Sequence, residues 1–208
     1  MDLDVLLSRS SLYDLKIAEL FEFEPRGKAR RFEAARRLVN LSFEHSRSIK
    51  HLVSAGLCSS AAALMRVQYE ALVRALWSLY VATDDQVESA LAELTPDSAM
   101  AANKAISLNA MLDDIEKHAP HVPIGSLRQF KEYSWQPLNS FVHGGIHAVS
   151  RHGTGFPVEL AIMMIKLSNA VLGLAGSFVL VMAAVPPEKG LMTALQSQFT
   201  DCLPPPLE

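Results

Sequence analysis

The chain has 208 residues, half of them hydrophobic, with a formal net charge of -3 and an isoelectric point near 6.2. That length supports one sizeable core and is short for two, and the weak acidity excludes a global basic field, leaving any nucleic acid only a local patch. Two cysteines, Cys58 and Cys202, exclude a disulfide framework and a cysteine-based zinc site. The expectation is a single domain in a reducing cytoplasm, because the opening residues Met1 to Leu7 also lack the charged and long apolar regions of a signal peptide.

In chain order, Leu3 to Phe23 predicts an amphipathic helix, interrupted or poorly capped near Ser8 to Ser11. Pro25-Arg26-Gly27 breaks it, and a long helix follows from Lys28 to Ala55, with Phe32, Val39, Phe43, Ile49, Leu52 and Val53 toward a core and Gly56 at its end. Arg26, Lys28, Arg30, Arg31, Arg36 and Arg37 make its opening basic, and cations there oppose the helix dipole. Two readings stand: a phosphate-binding face, or a solvated face paired with Glu33 and the preceding acidic turn.

Ser59-Ser60 is the predicted cap of a third helix reaching Ala82. Leu64, Met65, Val67, Tyr69, Leu72, Val73, Leu76, Trp77, Leu79 and Tyr80 cover most of its circumference, which makes it central to a bundle. Its polar residues Arg66, Glu70, Arg74 and Ser78 recur every fourth position. Arg ahead of Glu is the less favourable local order, so a solvated stripe, a buried structural ion pair and a functional pair all remain open.

A short acidic helix spans Asp84 to Glu93, and Asp97-Ser98 caps another running through Ala102, Ile106, Leu108, Met111 and Ile115 to Ala119-Pro120. Pro120, His121 and Pro123 stiffen the loop beyond. The next helix starts at Gly125 or Ser126 and is expected to kink or restart at Pro137.

From Asn139 to His152 the chain concentrates His143, His147, Arg151 and His152, three of its seven histidines among them. Asn139 and His143 share a helix face, and Gly144-Gly145 end that helix, whose C-terminal dipole favours imidazolium. Ile146 to Ser150 adds a turn or two before Gly153-Thr-Gly-Phe-Pro157, a breaker expected to be mobile. Val158 to Val185 is then the longest apolar run, and its stretch from Leu167 to Val185, about nineteen residues, matches the roughly 20 that span a bilayer. Glu159 and Lys166, the sparse flanking cations and the absent aromatic belts favour a core helix, with Gly173, Ala175, Gly176 and Ser177 as a close-packing face. Pro186-Pro187 ends it, a short helix holds Leu191, Leu195 and Phe199, and Leu203 to Pro206 is an extended tail.

No stretch alternates with period two, so the fold class is all-α, an up-and-down bundle whose long members start at Lys28, Ser59 and Val158.

Two signatures, Leu64-Met-Arg66-Val-Gln-Tyr-Glu70-Ala-Leu and Ser140-Phe-Val-His143-Gly144, resemble the HEPN superfamily of bacterial helical bundles over about Lys28 to Val185. The resemblance implies a HEPN-like fold and a bacterial defence or toxin-antitoxin setting. It also implies metal-independent ribonuclease chemistry in a homodimer, where an arginine four to six residues before the histidine meets its counterpart across the interface. His143 matches the family histidine, but the positions that would hold the arginine are Gln136, Pro137 and Leu138. The cation must then come from elsewhere in space.

Cleaving RNA without a metal needs a base for the 2′-hydroxyl proton, an acid for the leaving oxygen and a cation for the phosphorane. His143 is the candidate base or acid and His147 its partner. Arg66 or Arg151 would clamp phosphate, Glu70 would orient an arginine or histidine, and Asn139 matches a polar position of the family motif. This assignment requires His143 within reach of Arg66, Glu70 or a second copy of its own segment. A helix-end histidine satisfying carbonyls is the plainer alternative. His143 and His147 have metal-ligand spacing, but the double glycine between them and the missing His-Glu-x-x-His pattern leave no metal expected. Without a phosphate-cradling glycine loop or dinucleotide fingerprint, no cofactor is expected either. The partners implied are RNA, a second copy or another protein, and no membrane. The rival to a nuclease is a non-catalytic RNA- or protein-binding module using the Arg26 to Arg37 face and the Arg66/Glu70 pair.

Overall fold

The computed structural model describes residues 2–102, 106–186 and 190–205. Among these there is no strand. Helices α1 (Leu3–Leu20), α2 (Arg30–Ser54), α3 (Cys58–Tyr80), α4 (Asp84–Leu91), α5 (Pro96–Ala102), α6 (Leu108–His118), α7 (Ile124–Val142), α8 (Ile146–Thr154), α9 (Val158–Met182) and α10 (Leu191–Gln198) are followed by a 3-10 turn at Thr200–Cys202. The chain is an all-α bundle.

Cross-helix bonds give the directions. Arg31 donates to Leu79 O and Ser42 to Gln68 O, so α2 and α3 run antiparallel. Tyr69 donates to Leu127 O while Arg66 reaches His143, so α7 runs antiparallel to α3. Gln68 bonds Ser168 O, and Tyr80 lies edge-on to Phe178, so α9 runs parallel to α3. The apolar periodicity of α3 and α9 explains their central place: Tyr69, Leu72, Val73 and Ala75 of α3 are buried with Val171, Ala175, Phe178 and Val179 of α9. α9 is long and apolar enough to cross a membrane, and 61% of its most apolar window is buried in the bundle.

Several expectations are corrected. α1 is continuous, because Ser11 bonds back to Leu7 O and Ser10 is buried beneath Asn169, so the serines find partners without breaking the helix. Its cap is Asp2, which accepts from the Asp4 N–H. α3 starts after Leu57 with no side-chain cap, not at Ser59-Ser60. One helix was expected from Asp97 to Ala119; instead α5 ends at Ala102 and α6 starts afresh, capped by Ser107. Residues 103–105, which that expectation included, lie outside the described residues. α7 continues through Pro137 without a restart. α8 runs to Thr154, past the expected Ser150 and through Gly153. The end of the predicted tail, Pro206, also lies outside the described residues.

Candidate functional site

Arg66 lies where α3 packs against α7. Its Nη2 donates to Glu70 Oε1 at 3.0 Å, one helical turn on, with both side chains largely buried at 18% and 23% exposure. Its guanidinium carbon lies 4.6 Å from the centre of the Trp135 ring, a separation at which a cation is attracted to the indole face. Its Nη1 lies 3.3 Å from His143 Nε2. A guanidinium has no lone pair to offer, so this contact is a hydrogen bond only if Nε2 accepts and the ring proton sits on Nδ1. Of the three readings of the Arg66/Glu70 pair, the solvated stripe does not fit this burial.

α7 supplies the opposite wall at a regular interval. Trp135, Asn139 and His143 are four residues apart and so form one stripe. Two of them touch Arg66, and Asn139 lies between them. The Asn139 side chain forms no hydrogen bond to Arg66. Its Oδ1 and the Nε of Arg66 are both buried without a partner, an acceptor and a donor on facing walls.

The turn after His143 is fixed locally. His143 caps α7 by donating to Asn139 O, and Gly145 N donates to Ser140 O, closing the helix in a Schellman turn. Gly144 takes the left-handed φ of +64° this turn needs. Gly145 must lack a side chain because a Cβ would come within 2.6 Å of Ser140 Oγ. Ser140 Oγ is already engaged as acceptor for the His147 N–H at 3.0 Å and so caps α8.

The remaining candidates are dispersed. His147 is exposed, with its ring 6.4 Å from Phe141, and no hydrogen bond ties it to Arg66 or His143. Arg151 is half-buried and enters none of the ion pairs among the described residues. His143 and His147 lie on either side of the double glycine, His143 as the cap that ends α7 and His147 within α8. Among the described residues no three histidine, cysteine, aspartate or glutamate side chains gather as a metal site would require.

In the other basic stretch, Arg30, Arg31, Arg36 and Arg37 of α2 are engaged in structure. Arg30 pairs with Glu33 and Glu88, Arg37 with Glu33, and Arg31 with Asp84 while donating to Leu79 O and Ala82 O at the end of α3. Arg36 caps the end of α1 through Phe21 O and Phe23 O. Trp135 is the site residue that sequence reasoning missed. Its spacing of eight before His143 was the available signal.

The model of a family of unknown function, DUF6988, matches residues 39–205. The chain belongs to that family. The matched DUF6988 region holds Arg66, Glu70, Trp135, Asn139 and His143 and leaves out the arginines at the start of α2. Neither a curated protein nor a solved structure shows significant similarity to the chain.

Proposed function

We propose that this DUF6988 protein is a HEPN-like, metal-independent ribonuclease whose working couple is Arg66 and His143, in the bacterial defence or toxin-antitoxin setting and homodimeric form that the resemblance implies. The observation that carries the reading is the 3.3 Å contact between Arg66 Nη1 and His143 Nε2. It supplies from α3 the arginine that the sequence lacks upstream of His143.

In this mechanism an RNA phosphate takes the Nη1 donor of Arg66. His143 Nε2, released, accepts the 2′-hydroxyl proton as the 2′-oxygen attacks phosphorus. The bond to the 5′-oxygen breaks, and the leaving oxygen takes a proton from His147 or water. The products are a 2′,3′-cyclic phosphate and a 5′-hydroxyl. Glu70 and Trp135 hold the guanidinium so that its charge faces the phosphorane.

A second reading is favoured by one observation: Arg66 is already engaged by Glu70, Trp135 and His143. A guanidinium so occupied suits a structural role in a non-catalytic RNA- or protein-binding module. Cleavage of mixed-sequence RNA in EDTA separates the two. The nuclease reading expects cyclic-phosphate ends, lost in His143→Ala and Arg66→Ala proteins that melt like wild type. Equal inertness of all three at high protein concentration selects the module.

A further inference from the structure

The segment from Gly190 to Leu203 is held to the bundle by few side chains. No residue of α10 is buried, and after it only Phe199 and Cys202 are, at 5% and 0% exposure. α10 sits over the glycines of α9: a Cβ at Gly173 would come within 3.2 Å of Gln196 Nε2, and one at Gly176 within 3.3 Å of Met192 Sδ. The small-residue face of α9 is therefore the seat of this segment. Among the described residues, the core built around Tyr69, Leu72 and Phe178 takes no side chain from it.

One residue clasps the segment from outside. Arg9 of α1 donates through Nε and Nη2 to the two Asp201 carboxylate oxygens at 2.9 and 3.0 Å, and through Nη2 to Gln198 O at 2.7 Å. Its guanidinium carbon lies 4.7 Å from the centre of the Phe199 ring, close enough for attraction to the ring face. The Arg9 and Asp201 side chains are 35% and 41% exposed. Exposed ion pairs add little singly, but a two-point fork of guanidinium on carboxylate is the strong form.

Beneath the clasp the closed form leaves polar atoms unpaired. Tyr13 Oη of α1 and Asn169 Oδ1 of α9 have no hydrogen-bond partner among the described residues, and both residues are 0% exposed. Both lie against the segment: the Tyr13 ring is 5.4 Å from the Phe199 ring, and Asn169 Nδ2 donates to Cys202 O at 3.0 Å and to Ser10 Oγ at 2.9 Å. Each unpaired atom is a cost of the closed form, which water removes once the segment lifts. We infer that Gly190 to Leu203 is a strap latched by Arg9, which opens while the bundle stays folded and so uncovers the Cys202 thiol and the polar floor of Ser10, Tyr13 and Asn169. The strap stands apart from the Arg66–His143 couple, and its opening does not depend on that site being a nuclease.

Cys202 reports the opening. Alkylation of the native full chain by N-ethylmaleimide, read by peptide mass spectrometry, follows Cys202 separately from Cys58, the one other cysteine. Where closing outpaces alkylation, the rate measures the open population. The inference expects Cys202 to react at least about tenfold faster than global unfolding allows, at a rate nearly independent of urea below the unfolding transition, because a local opening exposes little surface. Arg9→Gln should speed the reaction by at least about tenfold, with the slowest-exchanging amides of α3 as protected as in wild type. In the wild-type chain, Cys202 alkylation that rises with urea along the full slope of global unfolding overturns the inference. An unchanged rate in Arg9→Gln, or a gain no larger than its loss of global stability explains, overturns the latch.

Discussion

Lys50 of α2 donates to Asp14 of α1 inside the bundle, where the two residues are 4% and 7% exposed. Ser46 Oγ, 3.0 Å from Lys50 Nζ, continues the contact toward Ser168 and Gln68, so a polar thread crosses the core from α1 to α3. Burial pushes the Asp14 carboxyl up and the Lys50 amine down, each toward its neutral form.

Breaking this pair on one side should be far worse than removing it whole. Lys50→Met leaves a buried carboxyl without its cation and should cost about 3–5 kcal/mol. Adding Asp14→Leu removes the orphan and should return stability to within about 1 kcal/mol of wild type, or above it. Urea unfolding of the single and double variants measures both; a double variant as unstable as the single one would show that the thread, not the pair, matters.

Alkaline pH should find a second weak point at Tyr69. Its hydroxyl donates to Leu127 O at 2.6 Å, and burial raises its pKa far above the ordinary phenol value. The native state therefore holds a proton that the unfolded chain releases near pH 10. The resulting stability is fully present below about pH 10 and is lost as pH rises further. Tyr69→Phe should lower stability at neutral pH by about 1 kcal/mol and flatten the decline above pH 10. Tyr13, also raised by burial, should keep some of that decline. An unchanged alkaline slope in Tyr69→Phe would contradict this.

The elements the sequence reveals are those whose apolar residues repeat over many turns. α3 and α9 show their burial in their own composition. The break between α5 and α6 is marked only by Ser107, one possible cap among several polar residues. Pro137 reads as a kink or a restart, yet α7 continues through it, with Leu127 and Leu138 on either side of the proline both buried. The site was half legible: Asn139 and His143 follow from spacing and the glycines, and Arg66 from its turn-by-turn line with Glu70. That Arg66 rather than Arg151 meets His143 depends on the antiparallel fit of α3 to α7, which no local pattern encodes. Lys50 lies between Ile49 and His51 with no local sign that its amine points inward.

Gly145→Ala should act on α8 alone. The added Cβ meets Ser140 Oγ at 2.6 Å, so the serine must leave the His147 N–H, and losing a cap of this kind costs about 1 kcal/mol. Hydrogen exchange should quicken across 146–154 while the amides of α3 and α9 keep their protection. Uniform loss of protection would instead make the glycine joint part of the global core.

RNA retention at low salt should distinguish the two basic regions. Arg30 and Arg37 are committed to Glu33 and Glu88, so Arg30→Gln and Arg37→Gln should change affinity by less than about twofold, as expected for exposed, already paired charges. Arg66→Gln should weaken retention by about tenfold or more, the loss of a charge-assisted phosphate contact. The reverse order would move the RNA surface to α2.

Nitrogen-15 NMR of the His143 imidazole tests the central couple most directly, in free protein and during titration with a short 2′-O-methyl RNA that cannot be cleaved. The account predicts a neutral ring protonated on Nδ1 in the free protein, with a saturable change at Nε2 as phosphate takes the Arg66 donor. That change should be absent in Arg66→Gln. A ring protonated on Nε2 in the free protein, or the same RNA-induced change without Arg66, would contradict it.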